Sequence, residues 1–142
     1  MRHRFATAAD LPRLAAWNRE LIEDQGSDNP MTVAQLEARM QRWLAGPYRA
    51  VLFEVADGPA GYALFQIDED GVHLRQLLVP RALRRRGVGR AAVRLLLDEV
   101  FPRGARVWLQ VLEQNESGLA FWSALGFRPH ARTLVAPAQE NA

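Results

Sequence analysis

Three segments in the middle of the chain are rich in β-branched and aromatic residues: "YRAVLFEVA" (48–56), "AGYALFQID" (60–68) and "GVHLRQLLV" (71–79). The turn signals Asp57-Gly58 and Asp70-Gly71 separate them. Short strands joined by Asp-Gly turns pair antiparallel, so this stretch commits the chain to a sheet that every other element must cover or extend. Before it, "RHRFA" reads as a strand, followed by a helix from Asp10 with Pro12 in its first turn, where no amide partner is lost. A second helix is expected from Thr32 to Gly46-Pro47, with Leu36, Met40, Trp43 and Leu44 on one face. After the meander come a helix from Val88 to about Val100, a strand at "ARVWLQVL" (105–112) and a short helix from Ser117 to Leu125 closed by Gly126. "ARTLVAP" (131–137) predicts a last strand.

This order predicts an α+β fold in one domain over residues 1–137, with 138–142 as a frayed tail. The expected sheet is mixed and mostly antiparallel, has 6–7 strands, and carries about four helices. A chain of 142 residues is long enough for one such core.

Composition removes whole classes of chemistry. The chain has no cysteine, hence no disulfide, no thiolate nucleophile and no cysteine-ligated zinc. His3, His73 and His130 are too scattered to predict a metal site. All 18 basic residues are arginine, yet the formal net charge is only +2, which gives little reason to expect a nucleic-acid partner. The start, "MRHRFATAAD", turns polar too soon for a signal peptide, and no apolar run is long enough to span a bilayer. A soluble cytoplasmic protein without a membrane partner is the expectation.

"RALRRRGVGRA" (81–91) breaks the ordinary pattern. Six arginines and no acid lie between Arg81 and Arg94, where the start of a helix prefers acids. Gly87 and Gly89 sit where a strand passes into that helix. Strand, loop, glycine and helix in this order suit phosphate, because free amides face a ligand that glycine lets come close. The spacing is neither a Walker loop nor a dinucleotide fingerprint. A solvated helix start and a nucleic-acid patch are the competing readings, and the second lacks a wider basic surface and exposed aromatics.

"LLVPRALRRRGVGRAAVRLLL" resembles the acetyl-CoA-binding segment of the GCN5-related N-acetyltransferases, the GNAT superfamily. The family's Gln/Arg-x-x-Gly-x-Gly/Ala is matched by Arg84, Gly87 and Gly89. "NESGLAFWSALGF" (115–127) is similar to a second family helix, which runs from an Asn to a Gly-Phe. The resemblance spans about residues 2 to 136. It implies a three-layer fold whose sheet splays between its fourth and fifth strands, with acetyl-CoA as acyl donor in the gap and no metal. The main chain of Leu77, Leu78 and Val79 would pair with the pantetheine arm. Amides from Arg84, Arg85, Arg86, Gly87, Val88, Gly89 and Arg90 would hold the pyrophosphate, and the guanidinium groups around them would add charge. Arg81 and Arg94 are expected only to face water. Asn115 would bond the pantetheine, and Trp122 would line the channel near the thioester.

Family members transfer the acyl group directly to an amine, which suits a chain with no cysteine, three serines and no nucleophile elbow. The tyrosine that usually protonates the leaving thiolate stands four residues before the Gly-Phe glycine; here that residue is Trp122, whose indole is no acid at neutral pH. Water, backbone amides, Tyr62 or Tyr48 remain as substitutes. Counting back by twos from Val79 places Leu77, Arg75 and His73 on one strand face. His73 occupies the position of the base in several family members, and a role at the strand start beside the turn is the alternative. Glu54, Asp68 and Glu69 are weaker candidates. The resemblance implies an acceptor site shaped by the loop between the first two helices, which holds Glu20, Glu23, Asp24 and Asp28; Glu23 and Asp24 then predict an acidic lip for a small cationic amine, with a solvated helix end as the alternative. Dimers are common in the family, and an exposed last strand would offer a homodimer an edge. An idle acyl-CoA-binding or sensory domain and an arginine-patch nucleic-acid binder are the other functional readings.

Overall fold

The computed structural model describes residues 1–138, so the expected tail lies outside the described residues except for Ala138. Five strands form one sheet in chain order: β1 (Arg2–Phe5), β2 (Arg49–Val55), β3 (Gly58–Asp68), β4 (Gly71–Leu78) and β5 (Val107–Trp108). The first four pair antiparallel, and β5 runs parallel to β4. The four helices are α1 (Leu11–Asp24), α2 (Val33–Ala45), α3 (Val88–Leu95) and α4 (Glu116–Ala124). The class is the expected α+β; the strand count is five, not six or seven.

Two cores lie on opposite faces of the sheet. Leu14, Leu21 and Met40 from α1 and α2 pack against Ala50, Tyr62, Leu64 and Leu78. On the other face, Ala92, Leu95 and Leu96 meet Val51, Phe53, Ala63, Phe65, Val72 and Leu74. Helix α3 passes into a wider π turn through Val100, where Phe101 N donates to Leu96 O at 2.7 Å and its ring meets Phe65.

The entry to α1 is stapled electrostatically. The Arg4 guanidinium forks onto Asp10 at 2.9 and 2.8 Å, and Thr7 N donates to Asp10 Oδ2 at 2.7 Å. Arg4, outweighing the cost of burial, lowers the Asp10 carboxyl to about 2.

One irregularity in β4 explains the departures from expectation. Leu64 faces Gln76 while Phe65 faces Leu74, so Arg75 is an extra residue in the ladder. A bulge of this kind bends its strand and increases its twist. Pairing with β5 is confined to Val72–Val107 and His73–Trp108, just before the bulge. The expected strand 105–112 therefore shrinks to two residues. The expected strand 131–137 is absent: Leu134 and Val135 are exposed, and β5 offers them no extended edge. The edge that would have served a dimer goes with it.

Candidate functional site

Beyond His73, no strand among the described residues covers the outer edge of β4, so Leu74 to Leu78 border an opening in the sheet. The basic loop and the start of α3 follow this open edge. Arg84 is extended, Arg85 turns to φ 63°, and Gly87 to φ 74°, ψ 11°. Left-handed backbone is natural at Gly87 and uncommon for an arginine. No side chain caps α3, whose first internal bond is Ala91 N to Gly87 O at 3.0 Å. The amides of Val88, Gly89 and Arg90 thus have no partner within the helix. Contrast α2, which Thr32 and Gln35 close with a capping box.

The two glycines serve different needs. A β-carbon at Gly87 would meet nothing within 4 Å, so its requirement is backbone angle. One at Gly89 would stand 3.1 Å from the Phe121 ring, so its requirement is room for α3 to pack on α4. Arg85, Arg86 and Arg90 are exposed, and none reaches a described carboxylate within 4.0 Å.

Arg81 and Arg84 behave differently. Arg81 N donates to Glu20 Oε1 at 3.0 Å, and its guanidinium reaches Asp24 at 3.0 Å and Glu23 at 3.4 Å. Arg84 pairs with Asp24 and donates from Nε to the Val79 carbonyl at 2.9 Å. Burial works against the Asp24 charge, but the bonds from Arg84 and Arg81 hold its carboxyl below the usual range. Arg81 is therefore an anchor and not a side chain that merely faces water. Glu23 and Asp24 belong to a balanced ion cluster joining α1 to the loop, not to a free acidic lip. Of the three main-chain positions expected at the open edge, Val79 has its carbonyl already engaged.

On the α1–α2 face, the bulge overturns the count by twos. Leu77 packs with the α3-face core, whereas Arg75 stacks on Trp43 and Tyr48 of the other side. His73 lies opposite Gln66, whose Nε2 donates to Tyr48 Oη at 3.3 Å, so it shares the face of Arg75. His73 Nε2 is 2.9 Å from Asp68 Oδ2, a close contact without hydrogen-bond alignment. The Asp70 amide first, and His73 in turn, hold the Asp68 carboxyl below its usual range. Glu54 instead pairs with Arg4 at 3.3 Å, near the start of α1.

Tyr62 is fully buried, stacks on Trp17, and donates its proton to Gln76 Oε1 at 2.8 Å. Burial pushes its phenol up. Tyr48 is the reverse: its oxygen accepts from Gln66 and, at 3.2 Å, from Arg75 Nη1, while its own proton has no described acceptor. Trp122 lies edge-on between Phe121 and Phe127, 4.9 Å from each, against the α3-face core. The Asn115 oxygen caps α4 by accepting from Gly118 N at 3.1 Å, which leaves its Nδ2 as the available donor. The Tyr48–Trp43–Arg75 group had no signature in the sequence, because its members come from separate segments.

Comparison with known proteins identifies the family and the fold. The family model for acetyltransferases (GNAT) matches residues 13–127. The [ribosomal protein bS18]-alanine N-acetyltransferase of Escherichia coli K12 is 36% identical over 69 residues, which are 48% of this chain and 47% of that protein. The chain thus spans about half the length of the curated relatives it matches. Among solved structures, the ribosomal-protein-S18-alanine N-acetyltransferase from Escherichia coli superposes with a TM-score of 0.69 at 26% identity, covering 92% of this chain and 79% of that one. An acetyltransferase from Thermus thermophilus gives 0.73 at 24% identity, with 90% and 88% covered, and speaks for the fold.

Proposed function

The chain belongs to the acetyltransferase (GNAT) family, and from that premise we propose that it is an N-acetyltransferase moving an acetyl group from acetyl-CoA directly to a primary amine, with no covalent enzyme intermediate. The observation that carries this is the uncapped start of α3 beside the open edge of β4. Unpartnered amides, a positive helix end and three unpaired arginines fit a pyrophosphate in both charge and donor chemistry. The donor supplies a thioester carbonyl; the remaining work falls to the chain.

The amides of Gly87, Val88, Gly89 and Arg90 take the pyrophosphate, with Arg85, Arg86 and Arg90 balancing charge around it. Arg84 acts through the loop, by clamping Val79 to Asp24. Leu77 and Leu78 offer main-chain partners to the pantetheine arm, Asn115 adds its Nδ2, and Trp122 supports the channel wall. His73, beside Asp68, accepts the proton of the incoming ammonium directly or through water. Tyr48, not the locked Tyr62, holds the proton for the departing thiolate. Glu23 and Asp24 anchor the loop and leave acceptor recognition to other groups. The relatives' activity on a ribosomal-protein alanine supports a primary amine as acceptor.

Trp122 in the usual tyrosine position favours one other reading, a domain that binds acyl-CoA without turning it over. Acetyl-CoA at 100 times its Kd is expected to stabilise the fold by about 2.7 kcal/mol, and a thiol-release screen across amines is expected to show turnover. Stabilisation without thiol release from any amine would establish the binder. Absence of stabilisation, with a steeply salt-dependent response to oligonucleotide, would establish a nucleic-acid protein.

A further inference from the structure

Two arginines converge on one indole on the α1–α2 face without a carboxylate, and a third lies near them. The guanidinium of Arg39 lies 4.3 Å from the Trp43 ring centroid and that of Arg75 4.6 Å from it, so two cations share one indole. Arg42 stands close enough to repel Arg39. No carboxylate of a described residue comes within 4.0 Å of any of the three. By contrast Arg4, Arg19, Arg81 and Arg84 all have acidic partners. Gathering like charges beside a desolvated surface costs stability unless an opposite charge arrives.

Buried donors point the same way. Arg39 gives one N–H to Asn18 Oδ1 at 3.2 Å, but its Nε is buried and unpartnered. Asn18 is 0% exposed, and its Nδ2 has no partner either. Buried polar groups are nearly always satisfied, so two orphaned donors on one bonded pair mark a place where an acceptor belongs. Arg75 spends Nη1 on Tyr48 and keeps its other donors free. The planar, stacked fork is the geometry that recognises a carboxylate through paired bonds.

Arg75 is two residues from Leu77 on the same strand, so this cation pair borders the part of β4 assigned to the donor. Resting on the acetyltransferase reading, we infer that the acceptor is an anionic amine: its carboxylate is held by Arg75 and Arg39, with Asn18 behind them, while its amino group faces the thioester. This replaces the cationic amine expected from the acidic loop, whose charges Arg81 and Arg84 already balance.

The test compares matched acceptors differing only in charge. Free amino acids are set against their amides, and peptides with acidic residues near the amino terminus against their amide counterparts; the two arms separate a small-molecule source from a peptide source. Carboxylate-bearing members of at least one arm are expected to show kcat/KM values at least tenfold above their neutral partners. Arg75→Gln and Arg39→Met are expected to raise acceptor KM tenfold or more with the Kd for acetyl-CoA unchanged, and Arg75→Lys to restore only part. Arg75 is exposed, so its variants test the idea even if Arg39→Met fails to fold. Turnover favouring neutral or cationic amines, or an Arg75→Gln enzyme with unchanged KM for the anionic acceptor, overturns this inference and leaves the acetyltransferase intact. Acetyl-CoA binding without turnover of any amine overturns both.

Discussion

The two sides of β4 are assembled in opposite ways. On the donor side, nearly everything comes from one stretch, residues 77–90, and the groups assigned to binding are mostly main-chain amides of the loop and of α3. On the acceptor side, side chains from five places meet: Asn18 on α1, Arg39 and Trp43 on α2, Tyr48 before β2, Gln66 on β3 and Arg75 on β4. Backbone recognition tolerates almost any side chain but demands particular φ angles, which restricts sequence to glycine at few positions. Side-chain recognition leaves the backbone ordinary and places its demands on residues far apart in the chain.

The largest expected effect breaks the acceptor side at the Tyr48 hydroxyl, whose proton has no described acceptor. Tyr48→Phe is expected to lower kcat about 100-fold, the lower range for a lost general acid, with acetyl-CoA binding unchanged. Tyr62→Phe is expected to leave the pH profile of kcat in place while destabilising the fold by about 1–3 kcal/mol, since Gln76 would lose its donor in a buried site. Stopped-flow turnover and thermal unfolding separate the two. Equal kcat losses would return the acid to water or backbone.

Next in size is a charge placed at the helix start. Gly87→Asp has open space and an angle that Asp tolerates, so it puts a carboxylate beside the free amides with little steric cost. Acetyl-CoA affinity is expected to fall about 30-fold, near 2 kcal/mol, whereas Gly87→Asn is expected to stay within about threefold. Titration by thermal shift decides. Similar losses in both variants would mean that the backbone angle, and not charge, sets binding here.

These contrasts also explain which features sequence could convey. The loop and both glycines were legible because strand, turn and helix signals lie side by side. Gly89 was legible as a position but not as a packing contact with Phe121, 32 residues away. Alternation by twos failed at Arg75, since an inserted bulge residue leaves no mark in a hydrophobic pattern, and with it failed the shared face of His73 and Leu77. The acidic stretch at the end of α1 looked free because Arg81 and Arg84 pair with Asp24 from 57 and 60 residues away. Local signals carry the donor side; the acceptor side exists only after folding.

The two ends of α1 supply the smaller predictions. At its start, Asp10 has a carboxyl lowered to about 2 by Arg4. A depressed acid contributes stability that is present above its unfolded value near 3.9 and disappears as pH falls toward about 2. Asp10→Asn is therefore expected to cost on the order of 2 kcal/mol at pH 7 and progressively less between pH 4 and 2, in chemical unfolding followed across pH. A constant difference over that window would assign the loss to packing.

At its other end, Asp24→Asn removes the charge that holds Arg81 and Arg84 while keeping shape. The pairs are partly exposed, so the expected effect is small, about a threefold rise in the apparent KM for acetyl-CoA at low salt. Near 1 M salt, where screening acts within about 3 Å, wild type and variant are expected to converge. The acceptor KM is expected not to move, because the proposed function assigns the cluster to the phosphate loop and the acceptor to the other side of β4. A rise in acceptor KM with acetyl-CoA unaffected would transfer Asp24 from the donor side to the acceptor side, and the division between backbone-built and side-chain-built halves would have to be redrawn through α1.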